Sequence, residues 1–296
     1  MTGAGSVIAP PRRDERKGPA LPVPTWFAGC GNMGQAIVAG WRLAGVDTSS
    51  AIAIRPSGMP VEGVRTVRTF AEAGPPPPLV ILGFKPQKLD EVAPDLRKYL
   101  TAKTVVVSSL AGVEVATLRQ RFPGVGAIVR AMPNLPVAIR RGVIALYSDE
   151  ANEQLKQQIS DLFTALGYAM WMADEARFAA VGSVAGAGPA YVARFIAALA
   201  KAGEQRGLSP ETAAIIARET VLGTAWMAAT TGETMDEIAR QVASPKGTTE
   251  AGLKVLDHDQ VLDQLIAVTI EAAAKRGTEI AAEAKGANLA QEGALP

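Results

Sequence analysis

Five short stretches hold residue types whose spacing could do chemistry. Gly29-Cys30-Gly31-Asn32-Met33-Gly34 has Gly-x-Gly-x-x-Gly spacing. In that pattern the first glycine allows a tight turn and the second lets backbone approach a pyrophosphate. The third lets a helix close on a sheet, and the helix amides face the phosphates. A flexible turn could use the same residues; the apolar run Trp26-Phe27-Ala28 before it and the helical stretch after it favour dinucleotide binding. About 20 residues on, an NAD site would carry Asp or Glu for the ribose hydroxyls. This chain has Arg55-Pro56-Ser57 there. A guanidinium and a hydroxyl favour a 2′-phosphate, hence NADP(H), with NAD(H) possible; the alternative is an arginine merely exposed at a strand end. Gly83-Phe84-Lys85-Pro86 and Arg130-Ala131-Met132-Pro133-Asn134 each close an apolar run. Lys85 and Pro86 could line the cofactor ribose there and Asn134 could reach the nicotinamide, or both could be ordinary loops. The fifth stretch, Ser244-Pro245-Lys246-Gly247-Thr248-Thr249, sets small and hydroxyl residues before a helix. Backbone N–H groups in such a nest can hold a carboxylate, and the threonines can bond a ring nitrogen. An ordinary N-cap would look similar.

The elements that must position these residues divide into two kinds. Between residues 24 and 172, apolar runs at 26–28, 51–54, 79–84, 104–108, 127–129, 143–147 and 169–172 alternate with helical stretches at 32–44, 86–100 and 113–122. Runs such as LVILG and TVVV are continuously apolar, as strands buried on both faces are. Strand–helix alternation of this sort predicts an α/β fold with a doubly wound, mostly parallel sheet. After Asp174 only helices are expected: 188–206, 210–229, 234–242 and 259–284. Ser209-Pro210 supplies an N-cap with proline in the first turn, and Thr234 with Glu237 fits a capping box. The 210–229 helix is apolar nearly all round, so it needs cover on every side, and a second copy of the chain is the expected cover.

Composition narrows the partners. Thirty Lys+Arg against 29 Asp+Glu leave a net charge of +1, which argues against nucleic acid or an anionic membrane as the main partner. Cys30 and His258 are the only cysteine and histidine, too few for an internal disulfide or a zinc site; His258, between Asp257 and Asp259, reads as a surface residue. Residues 1–22 are expected to be a disordered tail, 23–172 the dinucleotide-binding domain, 173–285 the helical domain and 286–296 a second tail. No signal peptide and no membrane-spanning helix is expected, which points to a soluble cytoplasmic protein.

In this order, GCGNMG, GFKP, SLAGV (109–113), RAMPN, AGAGPAY (185–191) and QVASPKGTTEAGLKVLD (241–257) resemble the pyrroline-5-carboxylate reductase family. The resemblance spans about residues 25–284, and the 241–257 stretch is its specific part. It implies a Rossmann-type N-terminal domain and an all-helical dimerisation domain, with homodimers assembling into a decamer. The implied reaction transfers hydride from NAD(P)H to the imine carbon of Δ1-pyrroline-5-carboxylate, the last step of proline biosynthesis. Carried onto matching positions, Thr249 hydrogen-bonds the ring nitrogen, while Ser244, Gly247 and Thr248 shape the carboxylate loop. Gln241 and Glu175 lie beside the substrate. Ala28, Gly29, Cys30, Gly31, Asn32, Met33, Arg55, Lys85 and Ala111 contact the cofactor. The chain departs from the family pattern at Lys246 (usually glycine), Leu135 (usually threonine) and at Ala185 and Ala187 (usually serines). Phe70 falls near a usual asparagine. An iminium substrate brings its own proton, so no histidine base is required and positioning supplies much of the rate. β-Hydroxyacid dehydrogenases share the two-part layout, but after Gly186-Ala187-Gly188 no lysine precedes Lys201 where they need one. Reductases of other cyclic imines, and a non-catalytic NADP(H)-binding redox sensor, are the remaining alternatives.

Overall fold

Apolar runs flanked by helices need cover on both faces, and a central sheet provides it. The computed structural model describes residues 18–292, with side chains as far as 283. Its strands are β1 (Thr25–Ala28), β2 (Ala51–Ile54), β3 (Arg65–Val67), β4 (Leu79–Leu82), β5 (Val105–Ser108), β6 (Ala127–Pro133), β7 (Gly142–Tyr147) and β8 (Gly167–Trp171). They form one sheet in the order β3-β2-β1-β4-β5-β6-β7-β8. Only the β6–β7 pair is antiparallel. The order reverses between β1 and β4, and in open α/β sheets ligands bind outside the carboxyl ends of the strands at such a point.

Alternate strand residues pack to opposite faces. Phe27, Ile81, Val107 and Val129 meet Trp41 and Phe163 on one side. Trp26, Val80, Val106 and Ile128 meet Leu96, Leu118 and Phe122 on the other. The helices are α1 (Asn32–Leu43), α2 (Leu89–Leu96), α3 (Val115–Arg121), α4 (Glu153–Thr164) and α5 (Glu175–Val181). A π turn over Gly182–Gly186 follows α5. The Trp41 indole on α1 donates to the Leu162 carbonyl on α4 at 2.7 Å, which fixes those two helices on one face.

Several boundaries differ from expectation. β3 and α4 are additional, and β6 runs on to Pro133. The single helix expected over 86–100 is a 3₁₀ turn (Pro86–Lys88), α2, and a second 3₁₀ turn (Arg97–Tyr99). Of the segment expected as an N-terminal tail, residues 1–17 lie outside the described residues, whereas Leu21 is buried in the sheet core.

By its contacts the chain forms two units: residues up to Gly186 together with those from Ala273 onward, and residues 187–272. The helical unit holds α6 (Gly188–Gln205), α7 (Pro210–Thr231), α8 (Met235–Val242), α9 (Thr248–Asp257) and the first part of α10 (Val261–Glu292). Ser209 caps α7 and Thr234 forms the expected capping box with Glu237. α10 continues through residues expected to fray. One segment, Glu175–Gln205, contains an 18-residue window of mean hydropathy 1.3, which matches a membrane span by length and composition only. It carries Arg177, Arg194, Lys201 and Glu204, and the π turn interrupts it.

Candidate active site

Pairing register aligns the carboxyl ends of four strands. Ile54, Ala28, Leu82 and Ser108 stand side by side across the sheet, level with Arg130 inside β6. The residues that follow the four ends therefore emerge at one edge, and these are the segments expected to meet a cofactor. Gly29 follows Ala28 with φ +75°, and a Cβ there would crowd Phe84 and the Gly83 carbonyl at 3.0–3.1 Å. Gly34 sits against the Cys30 sulfur, where a Cβ would approach to 2.8 Å. Gly31 is different: a Cβ at that position meets nothing closer than the Gly83 carbonyl at 4.0 Å. The space beside it is open, as a close-lying pyrophosphate requires.

Gly31 is also the N-cap of α1, with no side-chain cap and no acidic residue in the first turn. The first-turn amides of a helix lack intrahelical partners and, with the helix dipole, favour an anion. Asn32 and Met33 begin that turn. Cys30 is buried, and desolvation outweighs the nearby Arg55 to push its thiol up to about 11. It stays protonated at neutral pH and acts as a small packing residue.

Arg55 leaves β2 at the same edge. Its guanidinium donates to the Met59 carbonyl at 3.1 Å, and the Ser57 hydroxyl accepts from the Met59 amide at 3.3 Å. Val67 pairs with Ile54, so Arg55 and Arg68 continue adjacent strands side by side. The Arg68 guanidinium packs on the same turn, since a Cβ on Gly58 would meet its Nε at 2.7 Å. Sequence reasoning missed Arg68 because it missed β3; recognising Arg65-Thr66-Val67 as a strand would have placed it. Lys85 is exposed and caps the 3₁₀ turn begun by Pro86, while Ala111 is exposed in the β5–α3 turn.

Glu175, at the start of α5, faces this edge too, but its oxygens have protein partners. One accepts the Val115 amide at 3.0 Å, at the start of α3, and the other pairs with Arg130. Arg130 is buried and lies 4.2 Å above the Phe178 ring centroid. Burial pulls its pKa down, opposed by Glu175, Glu114 and Tyr147. Asn134, expected toward the nicotinamide, is buried with both ends of its amide engaged. It accepts from the Val143 amide at 2.8 Å and donates to the Ala185 carbonyl at 3.0 Å. Phe70 packs with Trp26 and Tyr99 in the core.

The other expected residues belong to the helical unit. Gln241, in the last turn of α8, pairs with Glu233. The Gly247 amide donates to the Ser244 carbonyl at 2.9 Å, closing a turn over residues 244–247. Gly247 then caps α9 without a side chain, so Thr248 and Thr249 enter a helix whose N-terminus is open. Thr248 is exposed and Thr249 half-buried. The acidic residue of this turn, Glu250, is held by Lys254 and the Lys246 amide, which keep its carboxyl below the usual range. Lys246 has φ +57°, the left-handed conformation that glycine adopts most readily. Among the described residues no three His, Cys, Asp or Glu cluster as metal ligands. His258 is exposed beside Asp259.

Against known proteins, the chain is 35% identical over 265 residues to the pyrroline-5-carboxylate reductase of Pseudomonas aeruginosa, spanning 86% of this chain and 96% of that one. The chain belongs to the pyrroline-5-carboxylate reductase family. The Bacillus subtilis pyrroline-5-carboxylate reductase 2 is 32% identical over 272 residues, 89% of this chain and 97% of that protein. Residues 175–280 match the family described as pyrroline-5-carboxylate reductase dimerisation, which takes in the apolar Glu175–Gln205 run. Among solved structures, the Coxiella burnetii pyrroline-5-carboxylate reductase superposes with a TM-score of 0.78 at 29% identity, over 88% of this chain and 99% of that one. The Plasmodium falciparum reductase, solved with NADP bound, has a TM-score of 0.79 at 23% identity over 88% and 98% of the two chains, a likeness of fold. Like these reductases, the chain couples a dinucleotide-binding sheet to a helical dimerisation region.

Proposed function

We propose that this reductase converts Δ1-pyrroline-5-carboxylate to L-proline with NADPH, the last step of proline biosynthesis. The observation that carries the reading is a pair of helix N-termini without side-chain caps, each preceded by glycine. One, at α1, opens on the space beside Gly31; the other, at α9, follows the Ser244–Gly247 turn. The first suits a pyrophosphate and the second the single carboxylate of a small imino acid. When bound, NADPH supplies the hydride that forms the new C5–H bond, while the C=N electron pair goes to the nitrogen, which keeps its proton.

The chain's own groups hold and orient. Residues 28–34, Lys85, Pro86 and Ala111 receive the cofactor, with Arg55, Ser57 and Arg68 at its adenosine end. The α9 amides, with Ser244, Gly247 and Thr248, hold the substrate carboxylate. The Thr249 hydroxyl accepts the hydrogen on the ring nitrogen and fixes the imine plane. Gln241 borders the substrate. No group in this set has to titrate, because the iminium arrives protonated, and positioning supplies much of the rate. In the assembly we propose, the chain pairs through residues 175–280 and five pairs form a decamer in the cytoplasm; light scattering on the purified protein reads the number of copies.

NADPH oxidation with pyrroline-5-carboxylate tests the activity. Thr249→Ala is expected to lower kcat/KM about 100-fold while leaving the NADP⁺ dissociation constant unchanged. Normal turnover by that variant removes Thr249 from this role, and no oxidation by the wild type removes the activity itself.

A further inference from the structure

The amino ends of the strands carry a cavity that the binding of cofactor and substrate does not use. Leu79 pairs with Thr25 on one side and Val105 on the other, so β1, β4 and β5 begin nearly level. A cavity of about 540 Å³ lies at these strand starts, between them and α4. Leu21, Leu79, Val105, Leu155, Ile159 and Leu162 give it an apolar floor. That volume is ordinary for a site that takes a small organic molecule. The cofactor edge is at the other end of the same strands: Leu79 and Leu82 are about 10 Å apart along β4.

The walls are held in place by the protein itself. The strap carrying Pro19 and Pro22 is tied at both ends. The Gly18 amide donates to the Gly45 carbonyl at 3.3 Å, and the Thr25 hydroxyl donates to the Pro22 carbonyl at 2.5 Å. The Val105 amide donates to the Pro78 carbonyl at 2.8 Å, and the buried Thr104 hydroxyl to that of Pro77 at 2.7 Å. The bond from Trp41 to the Leu162 carbonyl pins α4. A cavity formed in advance spends little ordering entropy on a ligand. The strap also precedes residue 25, where the family resemblance begins, so this wall is no part of that resemblance.

Two charged side chains border the cavity, and they have opposite signs. Lys103 comes from the turn before β5 and Asp161 from α4, with Gln158 three residues earlier on that helix. The Lys103 ammonium has no hydrogen bond or ion pair among the described residues, and Asp161 accepts from the Gln157 amide through Oδ1 at 2.7 Å. An anionic amphiphile would meet Lys103 but be repelled by Asp161, and an amine would meet the reverse. A zwitterion satisfies both. We propose that this cavity binds a free α-amino acid with a large apolar side chain. Its carboxylate goes to Lys103 and the Gln158 amide, its ammonium to Asp161, and its side chain onto the apolar floor. Every residue of the site lies in the sheet unit.

The test titrates L-phenylalanine into the whole enzyme by calorimetry, with L-leucine as a second probe. Saturable binding of one molecule per chain is expected, with a rise in Tm as the site fills. 3-Phenylpropionate lacks the ammonium and phenethylamine lacks the carboxylate, so each should bind about three- to tenfold more weakly than phenylalanine. Lys103→Met and Asp161→Asn change exposed side chains and should fold. Each is expected to raise the phenylalanine Kd about three- to tenfold and to leave kcat and the KM for NADPH unchanged. Absence of saturable binding by both amino acids overturns the site. Binding of 3-phenylpropionate as tight as that of phenylalanine overturns the ligand class in favour of an anionic amphiphile. Displacement of phenylalanine by pyrroline-5-carboxylate or by NADP⁺ places it at the reductase site and overturns the proposal, as does an unchanged Kd in both variants.

Discussion

At the scale of single residues, the chemistry depends on where charge is held and where backbone is left bare. Arg55 and Arg68 continue neighbouring strands and pack on one turn. Two guanidiniums there favour a 2′-phosphate, and a carboxylate would repel it. Arg55→Asp is therefore expected to raise KM for NADPH at least about tenfold and to lower KM for NADH. Equal effects on both cofactors, measured in one assay, would remove Arg55 from the adenosine end. Lys246 raises a different question, since it holds φ +57° where the family usually has glycine. The left-handed conformation costs an L-residue about 1–2 kcal/mol, and glycine gives back about 0.5–1 kcal/mol through its flexible unfolded chain. Lys246→Gly should thus stabilise the reductase by roughly 0.5–1 kcal/mol, read as a higher Tm. A simultaneous rise in KM for pyrroline-5-carboxylate would show that the ammonium assists an acidic substrate; an unchanged KM would assign the grip to backbone amides alone.

At the scale of elements, one carboxylate ties α3 to the start of β6. Glu150 pairs with Arg119 and accepts the Ile128 amide at 2.8 Å, while Arg119 also donates to the Val125 carbonyl at 2.9 Å. Burial alone would raise the Glu150 pKa, but Arg119 and the Ile128 amide outweigh it and hold the carboxyl below its ordinary value. A depressed folded pKa stabilises above the unfolded value and is lost as pH falls through the folded one. Glu150→Gln should therefore lower Tm at pH 7, and the gap should close as the pH drops below the ordinary glutamate value of about 4.3. A gap independent of pH would mean that packing, and not charge, carries the tie. What was legible in the sequence follows the same logic of locality. The glycine loop, the strand runs and the Thr234 capping box are read within a few residues, and they form where expected. β3 has one buried residue, Val67, too short a run for any period to register, and Arg68 was hidden with it. α4 was missed although its signal is local: Leu155, Ile159, Leu162 and Phe163 make a helical stripe after the Asn152 cap. The bonds of Glu175 to Val115 and of Asn134 to Ala185 join residues 60 and 51 positions apart, and no local pattern announces them.

At the scale of the whole molecule, the two units differ in how they are held. The sheet unit buries large side chains on both faces, among them Trp26, Trp41, Phe122 and Phe163. In the helical unit, the buried apolar residues among those described are Ala200, Ala213, Ala217 and Ile238, while Phe195, Ile215 and Ile216 remain about half exposed. Ordering a residue costs about 1–2 kcal/mol of backbone entropy, and burying a few alanines recovers little of that over so many helical residues. The unit therefore needs its exposed apolar faces covered, as the all-round apolar character of the 210–229 stretch required, and the match to a reductase dimerisation region identifies a second copy as the cover. Folding and association are then linked, so the urea midpoint of the helical transition should rise with protein concentration. Ile216→Glu places a charge on that face and should abolish turnover by melting the helical unit, while the sheet unit keeps its NADP⁺ affinity. A fully active monomer of this variant by light scattering would show that the helical unit is stable alone, and the argument from its small core would fail with it.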